Sequence, residues 1–407
     1  MAGNLLYGLL CIRLLPIGEY AKFVVVFAIQ GSLIVLMDIG ISGSLAPLVG
    51  ERIDDLQLIA DYLASLRQIA HLLFFVAIPI TIVAYPLLVR NRHWKYQVVA
   101  AMVVIVLIST WFARVAAAYG AVLILRRDRK HFYRAQIISS YGTLALLGIF
   151  VAFHWLNAFV AILINVAGVI WIAGDYFLRA RKLLGVAGRA SKEKCTAIMQ
   201  LTLPAVPGVI FYALQGQITV LLITIFGRTE AVASVGALCR FVQIFWLPSQ
   251  MNGVLVEPYF SRLAKTRLKI NYLLVVTIAV ACGGGATVLA WAFPGLFLWA
   301  LGPKYAGFRT EVVLVILSGA MGLVSSAMAT MNSSRRFVYY SFVLSNIILT
   351  LLVETALIWK VDLSTVEAVL WFNIAAGLPC LTINTLVGLY GLARGGRRVA
   401  GVDNHLE

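Results

Sequence analysis

Arg240, Gln243, Gln250 and Glu257 are spaced 3, 7 and 7 residues apart in a run that is otherwise largely apolar, GALCRFVQIFWLPSQMNGVLVEPYFSRLAK (236–265). On one continuous helix from Thr229 to Arg262, at about 100° per residue, all four fall within an arc of roughly 100°. An arginine carried into a bilayer costs from about 2.5 to more than 10 kcal/mol, depending on the scale, so a helix keeps it only where it faces partners or water. The arc is read as lining a polar cavity, with a structural Arg240–Glu257 network between helices as the alternative. A separation of about 25 Å along the axis argues against a direct pair.

A second constellation lies further along. Asn346, Thr350 and Glu354 share one helical face at i, i+4 and i+8, and Asn373, Gly377 and Asn384 share another. Gln217, Asn373 and Glu354 fall in the outer half of their segments. A lone intramembrane carboxylate among amides is a candidate site for Na⁺ or H⁺ coupling through Glu354, Asn346, Asn373 and Gln217. Interhelical hydrogen bonding is the other reading. Asp38 is read as a hinge, Asp175 as the i, i+4 partner of Arg179, and CGGGA (282–286) as a close-packing or bending element. No resident cofactor is expected.

The elements that position these groups are set by composition. Of 407 residues, 61% are apolar and 12% charged, about half the charge of a soluble domain, and the mean hydropathy is +0.93. Apolar runs of about 20 residues recur along the whole chain, which predicts an all-α polytopic membrane protein rather than a barrel. The five cysteines are scattered without a CxxC pair, no HExxH or GxxxxGK[ST] occurs, and no Ser/His/Asp set is evident, so metal, nucleotide and triad chemistry find no support. A membrane glycan polymerase or ligase would need a large outer loop, and the longest outer connection is only about eight residues. An enzyme is therefore not expected.

Twelve segments are predicted at about 2–15, 20–47, 68–89, 97–125, 133–153, 157–178, 199–226, 230–260, 270–300, 311–331, 337–359 and 365–392. The first is shorter than the ~20 residues a span needs, and its native beginning is expected to be missing. With the amino terminus inside, 22 of the 33 basic residues fall in cytoplasmic loops and nine in outer ones. This is the positive-inside pattern; it places both termini in the cytoplasm and removes the need for a nucleic-acid partner to explain a net charge of +16. The basic linker RARKLLGVAGRASKEKC (179–195) divides the chain into an N-terminal six-segment lobe (1–178), a linker (179–198), a C-terminal six-segment lobe (199–393) and a tail (394–407). A faint repeat runs through the halves: a short outer turn, then Gln30 with Gly43/Pro47, and Gln243 with Gly253/Pro258. Internal duplication is the usual build of secondary transporters, with the site near mid-membrane.

Three stretches carry a family resemblance. RLLPIGEYAKFVVVFAIQGSLIVLMDIGISGSLAPLVGE (13–51) resembles the opening of polysaccharide flippases, with Ala21 in place of the usual glycine. IFGRTEAVASVGALCRFVQIFWLPSQMNGVLVEPYFSRLAK (225–265) and ALGPKYAGFRTEVVLVILSGAMGL (300–323) resemble later parts of the Wzx-type O-antigen and exopolysaccharide flippases, within the multidrug/oligosaccharidyl-lipid/polysaccharide exporter superfamily. The resemblance implies two six-helix lobes around a central cavity in the bacterial inner membrane. Its implied cargo is a lipid-linked oligosaccharide on polyprenyl diphosphate, moved by alternating access, with membrane lipids around it and other polysaccharide-assembly proteins as conceivable partners. It also implies cavity cations, matched here by Arg13, Arg114 and Arg240.

Arg114, in STWFARVAAAYG (109–120), lies about 25 Å from the outer end of its segment and Arg240 about 15 Å. Two guanidiniums at different depths suit a diphosphate, whose oxygens they can bind bidentately. For Arg114 snorkelling is the alternative reading, and for Arg13 an interfacial position. The expected substrate-binding set is thus Arg240, Arg114, Arg13, Gln243, Gln250 and Gln30. The family's usual aspartate in segment seven is Gln217 here, which leaves ion coupling by that segment in question. The same superfamily supplies the competing reading, a drug/cation antiporter.

Overall fold

The computed structural model describes residues 2–393 apart from 50, 51, 53, 91–93, 204, 205, 253–255, 257, 258, 261, 262, 264, 336, 338 and 339. Among them the chain is helical throughout, with no strand. The helices are α1 (Ala2–Leu14), α2 (Ile17–Asp38), α3 (Leu45–Val49), α4 (Leu56–Val89), α5 (Tyr96–Leu125), α6 (Arg129–Ala152), α7 (Ala158–Leu184), α8 (Lys192–Thr202), α9 (Val206–Gln215), α10 (Ile218–Phe226), α11 (Thr229–Leu238), α12 (Val242–Met251), α13 (Lys265–Ala292), α14 (Pro294–Leu301), α15 (Arg309–Ser334), α16 (Tyr340–Lys360) and α17 (Val366–Ala393).

Nine helical segments within the described residues are long and apolar enough to cross a membrane. Their outer faces carry exposed Leu72, Phe75, Val83 and Leu87 on α4, and Ile270, Leu273 and Val288 on α13. Apolar side chains standing outward along whole helices suit lipid, not water. This is a multi-pass membrane protein. The remaining predicted segments are the short α1 and two broken ones, α8–α10 and α11–α12.

Local chemistry sets the ends. Asp55, Asn157 and Ser191 accept from Leu58 N, Val160 N and Lys194 N at 2.9, 2.9 and 3.2 Å, capping α4, α7 and α8. Glu19, at the start of α2, accepts from Ala158 N at 3.0 Å and pairs with Lys22 at 2.6 Å. Its negative charge thereby sits on the positive end of the α7 dipole. Asp38 ends α2: its carboxylate accepts from the backbone and hydroxyl of Ser42, while Ile39 (φ 42°) and Gly40 (φ 80°) turn left-handed. The predicted 20–47 segment is thus two pieces, broken at the Asp-Ile-Gly motif.

The chain packs as two compact units, Met1–Ala233 and Ser234–Glu407. The first therefore takes in the expected linker and α8–α10, with α9 and α10 lying against α2 and α10 against α4. Within the first unit α5 is central, packed on α7, α4 and α2, and α6 packs on α7. Within the second α15 is central, packed on α13, α17 and α12, and α16 packs on α17. Counted within each predicted six-segment half, the second, third and sixth segments pack around the fourth, and the fifth packs on the sixth. The faint sequence repeat thus has a counterpart in the packing.

Several expectations are corrected. The polar arc of Arg240, Gln243, Gln250 and Glu257 does not lie on one continuous helix. After α11 the backbone N–H groups of residues 240–244 bond three residues back, from Arg240 N to Ala237 O (3.2 Å) through Ile244 N to Phe241 O (3.1 Å). A tighter 3₁₀ turn advances by about 120° rather than 100° per residue, so the register across it is lost. Asp175 does not serve Arg179: it faces His131 at 2.9 Å, and Arg179 pairs with Asp128 at 2.6 Å, because each finds a partner on the α5–α6 connection or α6. CGGGA introduces no break in α13; Gly283 alone makes a close approach, since a Cβ there would stand 2.8 Å from that of Ala320 on α15. Glu257, the Gly253/Pro258 pair and the 394–407 tail lie outside the described residues.

Candidate functional site

In the first unit, α5 carries buried Ser109, Thr110 and Arg114, the last only 6% exposed, and a half-buried Trp111. A buried cation normally recruits a carboxylate, yet no acid pairs with Arg114 among the described residues. Its guanidinium instead lies over the Trp111 ring, 4.2 Å from the centroid. The i, i+3 spacing brings the two onto one face. A desolvated cation–π contact is worth about 2 kcal/mol or more. Arg114 Nε is buried with no hydrogen-bond acceptor among the described residues.

The opposite helix completes this cluster. From α4, the His71 ring lies 5.1 Å from that of Trp111, and Phe74 meets the same indole edge-on at 4.8 Å. Arg67 is exposed one turn before His71. His71 follows Arg67 by four residues, so the two stand one turn apart on the same face of α4. Sequence reading found Arg114 but passed over His71 and Trp111. The signals were present: Trp111 stands three residues before Arg114, and His71 four after Arg67 in an apolar run.

Gln30, 5% exposed on α2, donates to Ser109 Oγ, five residues along α5 from Arg114, or about 7.5 Å. Gln217 also belongs to this unit: a Cβ on Gly31 would lie 3.0 Å from its Nε2. Arg13 is exposed in the last turn of α1, where a cation suits the helix dipole.

In the second unit Arg240 is half-buried in the 3₁₀ turn between α11 and α12, and Gln243 is exposed on the first turn of α12. Gln250 belongs to α12; its side chain is outside the described part. Asn346, Thr350 and Glu354 are buried together on α16, at 4%, 2% and 5% exposure, with Thr350 Oγ1 3.5 Å from Asn346 Oδ1. Asn373 donates to Ser318 on α15 at 2.7 Å. It heads an amide–hydroxyl ladder between α15 and α17, with Asn384 to Ser325 (3.0 Å) and Asn332 to the Asn384 carbonyl (2.9 Å), and Tyr272 on α13 donates to Asn332 (3.2 Å). Ser318, Ser325 and Asn332 recur every seventh residue, a stripe the sequence reading left out. Of the four expected ion-coupling residues, Gln217 thus belongs to the first unit, and Asn346, Glu354 and Asn373 to the second. No cluster of metal-binding side chains occurs among the described residues.

No protein-family model and no curated protein sequence matches the chain. Solved structures do. The chain is similar to a multidrug resistance MATE family transporter of the MOP superfamily in its inward-facing conformation, with a TM-score of 0.70 and 15% identity over 98% of this chain and 96% of that one. The outward-facing conformation of such a transporter matches with a TM-score of 0.57 and 15% identity over 97% and 92%. A MOP superfamily transporter from Pyrococcus furiosus, described as having a binding pocket of reversed polarity that suggests a different function, matches with a TM-score of 0.58 and 13% identity over 97% and 91%. At such identities the likeness shows the fold, which is that of MOP-superfamily transporters.

Proposed function

We propose that this MOP-type fold serves an alternating-access flippase, which moves polyprenyl-diphosphate-linked oligosaccharide across the bacterial inner membrane for polysaccharide assembly. The observation that carries the reading is Arg114: a cation buried in a membrane helix and held by an indole, with no carboxylate paired to it among the described residues. Its field favours an anionic cargo and disfavours a cationic one. The expected contacts are Arg114, Arg240, Arg13, Gln243, Gln250 and Gln30, with both termini cytoplasmic. Wzx-like sequence features in 13–51, 225–265 and 300–323 point the same way.

A second reading, a drug/cation antiporter, has its own support. Two of the similar structures are named as multidrug transporters, and those names favour this reading over the first. Glu354, buried beside Asn346 and Thr350, supplies a carboxylate that Na⁺ or H⁺ coupling would need. The neighbour with reversed pocket polarity supports the idea that the fold accommodates cargoes of either charge. Depletion of the protein in its native cells separates the readings. The flippase reading expects lipid-linked oligosaccharide to accumulate on the inner leaflet with drug sensitivity unchanged. Heightened sensitivity to cationic drugs, with normal glycan, would establish the antiporter.

A further inference from the structure

We propose that Arg67, His71 and Arg114, with Trp111 as their support, form the loading site that takes the substrate's diphosphate directly from the lipid headgroup layer. This deepens the flippase reading and rests on it.

The first argument is charge. A carboxylate beside Arg114 would leave the site neutral, whereas the Trp111 ring carries no net charge and leaves the guanidinium field in place. Arg67, exposed one turn before His71 on α4, adds a second cation. His71 adds ring nitrogens from the same face of α4, its imidazole 5.1 Å from the Trp111 ring. His71 from α4 and Arg114 from α5 meet at one indole, and Arg114 Nε has no acceptor among the described residues. Oxyanions bearing several acceptor oxygens are the chemistry that satisfies such a set. Trp111, closed in by Arg114, His71 and Phe74, is a positioning residue rather than a contact.

The second argument is depth. α4 has 34 residues and α5 has 30, or about 51 and 45 Å, more than the ~30 Å hydrocarbon core. The two helices run antiparallel in sequence order. About 20 residues cross the core, so counting back from Val89 reaches residue 70, and counting on from Tyr96 reaches residue 115. Arg67, His71 and Arg114 all fall within about three residues, or ~5 Å, of those points. The cluster therefore lies at one edge of the hydrocarbon, the level at which a lipid-anchored diphosphate rests. By loop charge this is the cytoplasmic edge. A ligand there needs no lifting to bind. Its site also lies apart in sequence from Arg240, on α4–α5 rather than α11–α12.

The test is equilibrium binding to the purified full chain in nanodiscs. The probes are a synthetic polyprenyl diphosphate, the matching polyprenol and inorganic pyrophosphate. Wild type should bind the polyprenyl diphosphate and not the polyprenol. His71→Leu and Arg114→Ala should each weaken that binding at least tenfold, and Arg114→Lys should recover only part. Trp111→Leu should weaken it too, but add nothing in the Arg114→Ala background, the non-additivity expected of a support. His71→Gln and Trp111→Phe serve where the larger changes prevent folding, with monodisperse elution as the check. If wild type binds the diphosphate and every variant binds it equally well, the loading site is wrong and the flippase reading stands. If wild type binds no polyprenyl diphosphate, both fall. Pyrophosphate bound as tightly as the lipid, with the same losses in the variants, would make the site one for a free anion and overturn the headgroup assignment.

Discussion

Single residues divide into those whose roles spacing reveals and those that need the fold. Arg240 was legible as a polar group in an apolar run, but its setting was not: the helix breaks at 239–241 without a glycine or proline to mark it. A guanidinium in a 3₁₀ turn between two helices stands where the backbone can shift register, which suits a hinge-side contact to moving phosphate. Arg240→Ala is expected to abolish export while the protein still inserts, and Arg240→Lys to restore it only partly, because ammonium keeps the charge but loses the planar fork. Surface glycan at matched protein level measures this; normal glycan in the Ala variant would return Arg240 to a structural role. Glu354 is buried beside amide and hydroxyl groups. Glu354→Gln should flatten any Na⁺ or pH dependence of transport in vesicles. An unchanged dependence would leave the residue to packing with α17.

At the scale of elements, hydropathy located the spans but underestimated two of them. α4 begins at Leu56 rather than 68 and α7 runs to Leu184 rather than 178. Their polar extensions (Asp61, Arg67; Arg179, Arg181, Lys182) leave the hydrocarbon while the helix continues, and an apolar count cannot see helix outside lipid. The extension of α4 has work to do. Asp61 receives Lys194 Nζ at 2.6 Å, Arg189 N at 2.8 Å and Gln57 Nε2 at 2.9 Å, and Ser65 Oγ receives Ser191 N at 3.2 Å. These bonds strap the 187–195 linker to α4. Gly188 permits the approach, because a Cβ there would stand 1.9 Å from the Ala60 carbonyl oxygen. Gly188→Ala forces the linker away at a cost of about 1–3 kcal/mol, which should lower the thermal midpoint by roughly 2–12 °C. An unchanged midpoint would show that the strap is not a stabilising contact. Asn373, read from the sequence as part of a coupling site, also serves the packing: with Asn384 and Asn332 it joins α15 and α17.

For the molecule as a whole, class was plain in composition, and the repeat was faint in sequence because helix packing constrains neighbours more than identities. The fourth segment of each predicted half, α5 or α15, meets its second, third and sixth, although few residues correspond. Orientation rests on loop charge. Cysteines placed at 191 and 401 in a cysteine-free background should resist a membrane-impermeant maleimide added to intact cells, and one at 307 should react. Labelling of position 191 from outside would reverse the topology and the direction of transport. The central claim is that the cargo is an anionic lipid-linked oligosaccharide drawn in by an uncancelled Arg114. The most direct measurement is the flipping of a fluorescent polyprenyl-diphosphate oligosaccharide in proteoliposomes, read by loss of accessibility to an external quencher. Wild type should flip it well above protein-free vesicles, and Arg114→Ala at the same density should fall to about that background. No flipping by wild type, or equal flipping by the Ala variant, would contradict the account.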